Sequence, residues 1–147
     1  SSGAMQMLKM LVPVDGSESS IRALDQLIKK FGWYKDVVEI HLLNVQPPFP
    51  AHVASHLGHD KVQQYHREQG LAVLADARKK LDAAGIKYHY HIGIGDEAEV
   101  ICKYAKEKGV VQIFMGTRGM GSVSSLLLGS VASKVIHLSE VPVLLVK

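Results

Sequence analysis

The residues whose types and spacing promise chemistry lie late in the chain, in Gly116-Thr117-Arg118-Gly119 and Gly129-Ser130-Val131, joined by the Gly/Ser-rich run Met120 to Leu128. Glycines let backbone N–H groups converge on a ligand with no side chain in the way. Gly129-Ser130 reads as the opening of a helix, whose free N–H groups and dipole favour an anion. Ser130 can add its hydroxyl, and Arg118 can supply positive charge or point to solvent. The chemistry such a pattern suits is phosphate binding; the alternative is a structural glycine loop that only caps the helix. Near the start, Leu11-Val12-Pro13-Val14 runs into Asp15-Gly16-Ser17. Asp15 is the carboxylate best placed for a metal or nucleotide, and helix capping is compatible with that role.

Other combinations carry less. His56-Leu57-Gly58-His59 matches the H-x-G-H motif of nucleotidylyl transferases, but it follows the second strand rather than the first, and no K-M-S-K-S-like loop comes after it. Gly93-Ile94-Gly95-Asp96-Glu97-Ala98 fits a dinucleotide fingerprint, yet the acid required at the end of the next strand is missing from Ile113-Phe114-Met115-Gly116. It reads instead as a turn and helix start with Asp96 as the cap. Gly116 and Gly121 have P-loop spacing, but Ser122-Val123 stands where Lys and Ser/Thr are needed. No G-x-S-x-G elbow occurs. His52, His56 and His59 can share a helical face, and His89 and His91 fall on one side of a strand. With eight histidines in all, such clusters read as solvated surface, and no protein-held metal is expected. Cys102, on an amphipathic helix with no base beside it, reads as a quiet thiol.

The elements that must position these residues alternate. Leu8–Val14 reads as a strand, and Ile21, Leu24, Leu27, Ile28 and Phe31 as a helix stopped by Gly32. Val37–Val45 is a second strand, broken by Pro47-Pro48-Phe49-Pro50 into a His-rich loop that runs to Asp60. A long helix, Asp60 to Ala84, closes at Gly85; a strand follows at Ile86–Ile92. Asp96 to Lys108 is helical, with Ala98, Ile101, Tyr104, Ala105 and Lys108 on one face. Val110–Met115 is the fourth strand, Val131 to Ile136 mark the last helix, and Val141–Val146 is the final strand. The order β-α-β-α-β-α-β-α-β predicts a single α/β domain, a doubly wound open sheet of five mostly parallel strands with helices on both faces. Ligands in such sheets bind outside the carboxyl ends of the strands, so the loops after Val14, Val45, Ile92 and Met115 come forward.

The 147 residues suffice for one domain with a real core. At 47% hydrophobic and 21% charged, the composition is that of a globular protein, and a net charge of +3 is no nucleic-acid footprint. A single cysteine excludes an internal disulfide and a multi-cysteine zinc site. No run is apolar enough to span a bilayer, and the beginning lacks a secretory pattern, so a cytoplasmic protein with no membrane or nucleic-acid partner is expected. Residues 1–4, Ser1-Ser2-Gly3-Ala4, read as an expression remnant, leaving residues 5–147 as the domain.

Spacing sharpens the phosphate reading. Gly116-x2-Gly119-x9-Gly129-Ser130 resembles the G-x2-G-x9-G-[S/T] signature of the universal stress protein family, in its ATP-binding branch. Leu11 to Ser17, Val110 to Gly119, Leu126 to Ala132 and Val141 to Val146 resemble that family's blocks in the same order. The resemblance implies ATP across the strand ends, with Mg2+ or Mn2+ on its phosphates. Pro13, Val14 and Asp15 are implied at the adenine and ribose end, and main-chain groups at Val45 on the adenine edge. Met115 and Gly116 are implied near the sugar, with Gly119, Gly129, Ser130 and Val131 on the phosphates. It also implies a homodimer that pairs the final strands, Val141–Val146. Gln112, Glu97, Met120 and Ser125 depart from the common pattern; the last two stand where basic residues are usual and lower the charge complementarity to phosphate. The expected function is a nucleotide-dependent stress or signalling module. No fast catalyst is expected, since no general base or transition-state arginine stands out. Slow ATP hydrolysis or self-phosphorylation is compatible. A slow ATPase or nucleotidyl-transfer enzyme, and a nucleotide-free dimerisation module, are the competing readings.

Overall fold

The computed structural model of the chain describes residues 7–119 and 127–147. Five strands, β1 (Met7–Pro13), β2 (Val37–Gln46), β3 (Tyr88–Ile94), β4 (Gln112–Gly116) and β5 (Val143–Val146), form one sheet in the order β3-β2-β1-β4-β5. All four pairings are parallel. Five α-helices connect them: α1 (Glu18–Lys29), α2 (Ala51–Leu57), α3 (His59–Ala83), α4 (Glu97–Glu107) and α5 (Ser130–Leu138).

The sheet separates two apolar layers, because alternate residues of a strand face opposite sides. Met10, Val12, Ile40 and Leu42 pack with Leu24 and Leu27 of α1 and Leu74, Ala77 and Leu81 of α3. Leu11, Leu43, Ile113 and Met115 pack with Ala98, Ile101 and Ala105 of α4 and Ala132 and Val135 of α5. Helices on both faces are what the parallel, near-continuously apolar strands demand. Beyond β1 the chain winds first to β2 and β3, then crosses to β4 and β5 on the other side. The carboxyl ends of β1 and β4 therefore flank the point where strand order reverses, the usual place for a ligand crevice.

Several boundaries differ from the periodic reading. The His-rich loop holds a helix, α2, which starts after Pro50 and stops at Gly58, whose φ of 88° an L side chain disfavours. Helix α3 then begins at His59. Helix α1 ends at Lys29, and Gly32 lies inside a short 3-10 turn, Phe31–Trp33. β3 starts at Tyr88, because the Ile86 N–H is spent on the Leu81 carbonyl closing α3. Likewise Val110 bonds back to Ala105, so β4 starts at Gln112. β5 starts at Val143, since Val141 turns onto Ser139 through hydrogen bonds of 3.1 Å and 2.7 Å. Lys108 caps α4 and is exposed rather than sharing its buried face. Met120 and Ser125 lie outside the described residues. No helix among the described residues is long and apolar enough to cross a membrane.

Two side chains fix the turn that ends β1. Asn44, 3% exposed, donates to the Val14 carbonyl at 2.8 Å and accepts from Gln46 Nε2 at 2.6 Å. Deleting it leaves a buried carbonyl without its donor. Asn44→Ala is expected to cost about 1–3 kcal/mol in urea unfolding; an unchanged midpoint would show that the turn holds without it.

Candidate functional site

A narrow crevice, with a cavity volume of about 20 Å3, lies at the β1/β4 switch point. Pro13, Asp15, Met115, Gly116, Arg118, Gly119 and Val131 line it, so seven of the residues singled out in the sequence meet there. Among the described residues Ser20, Glu97 and Ala132 also line it. Val14 points away into the α1/α3 layer, at 2% exposure. Val45, next to last in β2, lies on the α4/α5 side, and Gly129 and Ser130 are the cap and first residue of α5; these three are not among the residues that line the crevice.

The glycines act by closeness. Gly116, Gly119 and Gly129 are absent from the glycines with positive φ. A Cβ on Gly116 would stand 2.2 Å from Ser19 Oγ and 2.6 Å from the Ser19 carbonyl carbon, so the end of β4 rests directly on α1. A Cβ on Gly129 would stand 3.0 Å from the Thr117 oxygen and 3.2 Å from Arg118 Cα. The Gly129 N–H also donates to the Thr117 carbonyl at 2.6 Å. The start of α5 is thus pressed against the 117–119 backbone, and Ser19 Oγ accepts from the Arg118 N–H at 3.3 Å. Gly129→Val would therefore move this backbone as well as obstruct the crevice. The buried Ser19, which the glycine spacing gives no hint of, joins both contacts.

The first three N–H groups of α5 have no intrahelical acceptor, and Gly129 has no side chain with which to cap them. They and the helix dipole leave a site for negative charge beside Gly119. Across the crevice Asp15 Oδ1 accepts from the Ser17 N–H at 2.9 Å and from its hydroxyl, and Ser17 in turn caps α1 by accepting from Ser20 N–H at 3.2 Å. Capping thus falls to Ser17, with Asp15 bracing it. Asp15 Oδ2 faces Gly119, 3.1 Å from where a Cβ would be. Glu97 opens α4 on the crevice wall. Burial, then the charges of Asp15 and Asp96, push its carboxyl above the usual range. The arrangement pairs a helix end that favours negative charge with two acidic side chains.

The Gly93–Ala98 segment is structural here. Asp96 Oδ2 caps α4 by accepting from the Glu99 N–H at 3.1 Å, and also takes Lys134 Nζ at 3.0 Å. Burial pushes the half-buried Cys102 thiol up, away from its reactive form. His52, His56 and His59 do not bring their ring nitrogens together as a group among the described residues, whereas one donor atom each from Glu39, His41 and His89 lies within 4.8 Å of the others.

A doubly wound parallel sheet with a crevice at its switch point places the chain among the open-sheet α/β domains. The particular class is set by comparison: a profile of the Universal stress protein family matches residues 7–147, and the chain belongs to that family. Universal stress protein YxiE of Bacillus subtilis is 33% identical over 147 residues, spanning 95% of this chain and 98% of its own length. Universal stress protein MJ0531 of Methanocaldococcus jannaschii is 33% identical over 144 residues, spanning 95% and 81%. The solved structure of protein MJ0577 from that archaeon superposes with a TM-score of 0.76 at 30% identity, covering 95% of this chain and 94% of its own.

Glu97 supplies a test of the crevice's electrostatics. A carboxyl whose folded pKa is raised binds its proton more tightly folded than unfolded, so its ionisation costs stability above the folded value. That cost fades as pH falls and is gone below the ordinary glutamate value of about 4.3. Glu97→Gln is expected to raise the thermal midpoint of the nucleotide-free protein at pH 7 and to give little gain near pH 4. An equal gain at both pH values would mean the charge is not the cause.

Proposed function

We infer that the chain is a stress-response or signalling module that binds ATP with Mg2+ or Mn2+ and works as a homodimer, not as a fast catalyst. The observation that carries this reading is the N-terminus of α5, which has no side-chain cap among the described residues and is held beside Gly119 and Asp15 at the switch point of the sheet. In this reading the phosphates lie on the N–H groups of Gly119, Ser130 and Val131. The sugar lies near Met115 and Gly116, and the adenine and ribose end near Pro13, Asp15 and the main chain, not the buried side chain, of Val14. The Val45 main chain reads the adenine edge. The metal ion, when bound, offsets phosphate charge that Asp15 and Glu97 would otherwise repel. Structures of the same fold support an adenine nucleotide as the ligand class: one is a universal stress protein in complex with cAMP, 23% identical, and another is a family protein of Arabidopsis thaliana with AMP bound, 22% identical. Of the acids lining the crevice among the described residues, Asp15 has Oδ1 engaged with the Ser17 N–H and hydroxyl, which takes up the oxygen that would otherwise be free to activate water.

Position 130 is the first of the helix, where proline is well tolerated. Ser130→Pro removes both an N–H and a hydroxyl there while leaving the helix able to form. Calorimetric titration with ATP and Mg2+ is expected to give saturable binding near micromolar Kd, weakened about tenfold or more by Ser130→Pro with circular dichroism unchanged. Undiminished affinity in the variant would place the phosphates elsewhere.

The dimer rests on the free edge of β5. In the parallel ladder Pro142 and Val146 carbonyls accept from Ile113 and Thr117, so Val143 and Leu145 direct their backbone groups to the open side. Half-buried apolar residues on such an edge invite a partner strand. Leu145→Pro deletes an outward N–H without touching the β4 ladder. It is expected to yield monomers in sedimentation velocity; a persisting dimer would move the interface away from β5.

A further inference from the structure

On the α4/α5 side of the sheet, the amino-terminal half of β2 breaks the apolar pattern. Glu39 and His41, two apart on β2, face the same way as His89 and His91 on β3, where His41 stands in register with His89 and Leu43 with His91. His41 is 7% exposed, a depth at which an imidazole needs partners. Its Nε2 lies 2.6 Å from Glu39 Oε1, and His89 Nε2 lies 3.8 Å from Glu39 Oε2. The His41 and His89 rings stack with centroids 4.9 Å apart. One ligand atom from each of Glu39, His41 and His89 falls within 4.8 Å of the other two.

We propose that Glu39, His41 and His89 form a binding site for a zinc-class divalent transition-metal ion. Two imidazoles and a carboxylate, with water in the fourth position, are a donor set that zinc takes at bonds of about 2.0–2.2 Å. Tetrahedral bonds of that length separate neighbouring donors by roughly 3.3–3.6 Å. The two carboxylate–imidazole separations are 2.6 Å and 3.8 Å and all three donors lie within 4.8 Å, so the exposed His89 ring, now stacked on His41, has to turn its nitrogen inward for the donors to close on the ion. The His41 ring is also held from behind. His41 Nδ1, on the far side of its ring, lies 3.3 Å from Tyr104 Oη and 3.2 Å from His91 Nε2. Partners on Nδ1 orient the ring and commit Nε2 to a ligand. All three donors sit on adjacent strands rather than loops, which preorganises them. Lys9, in register with Glu39 on its other side, balances the carboxylate in the metal-free protein. His41 lies four residues before Val45 on the same strand, about 13 Å along it, so this site is separate from the crevice. Because β3 is an edge strand, an ion bound here ties it to β2.

The whole chain, stripped with EDTA and dialysed, is titrated with Zn2+ by calorimetry, with Co2+ by visible absorption, and its melting followed with and without Zn2+. One Zn2+ per chain at about micromolar Kd or tighter is expected, with a raised melting temperature and the intense visible bands of four-coordinate Co2+. His89→Ala, at a side chain 58% exposed and so removable without disturbing the core, is expected to weaken binding about tenfold or more, as is Glu39→Gln. Combined His52→Ala, His56→Ala and His59→Ala is expected to leave binding intact. Binding that survives both His89→Ala and Glu39→Gln, binding lost in the triple variant, or no saturable binding below about 0.1 mM would each overturn the proposal.

Discussion

The site depends on how closely three stretches of backbone approach one another. The end of β4 touches Ser19 of α1 at a separation that leaves no room for a Cβ on Gly116, and the start of α5 touches residues 117–118 with almost none at Gly129. Interiors packed this tightly do not absorb an extra methyl without shifting. The consequence is positional: α5 enters with its first N–H groups beside Gly119 and opposite Asp15, at the one place in the sheet where successive crossovers diverge. Seen this way, the glycines serve the ligand indirectly, by setting the distance between a helix end and a strand end.

That constraint explains what the sequence made legible and what it hid. The strand and helix order, the parallel sheet and the meeting of Pro13, Asp15, Met115, Gly116, Arg118, Gly119 and Val131 follow from periodicity, from spacing and from the family resemblance, all of which are local or ordered along the chain. Ser19, Asn44 and Glu97 as partners of the crevice turn was not legible, because each acts through contacts with distant segments. Ser19 reaches Arg118 and Gly116, Asn44 reaches Val14, and Glu97 comes in on α4. The short helix α2 was hidden because seven residues between prolines and a glycine show too little periodicity to stand out from a loop.

The histidines make the same point. His89 and His91 were visible as alternate residues of one strand, but His41 reads as a lone residue in an apolar run. Only the in-register pairing of β2 with β3 sets it against them and against Glu39. Burial pushes the His41 and His91 imidazoles towards their neutral form, while hydrogen bonding from His41 lowers Glu39. Burial, then Glu39, raise Tyr104 to about 12, which keeps the phenol protonated beside the ring it contacts. Two polar constellations thus occupy different stretches of one sheet: one at the carboxyl ends of β1 and β4 built from backbone, the other near the start of β2 built from side chains.

The most direct test of the central claim is to follow the backbone amide resonances of the chain while ATP and Mg2+ are added. If α5 receives phosphate, the largest shifts fall on Gly119 and on Ser130, Val131 and Ala132, and they saturate together. Saturable shifts confined to other segments, or none up to millimolar nucleotide, would contradict the account and leave the close-packed glycines as scaffold alone.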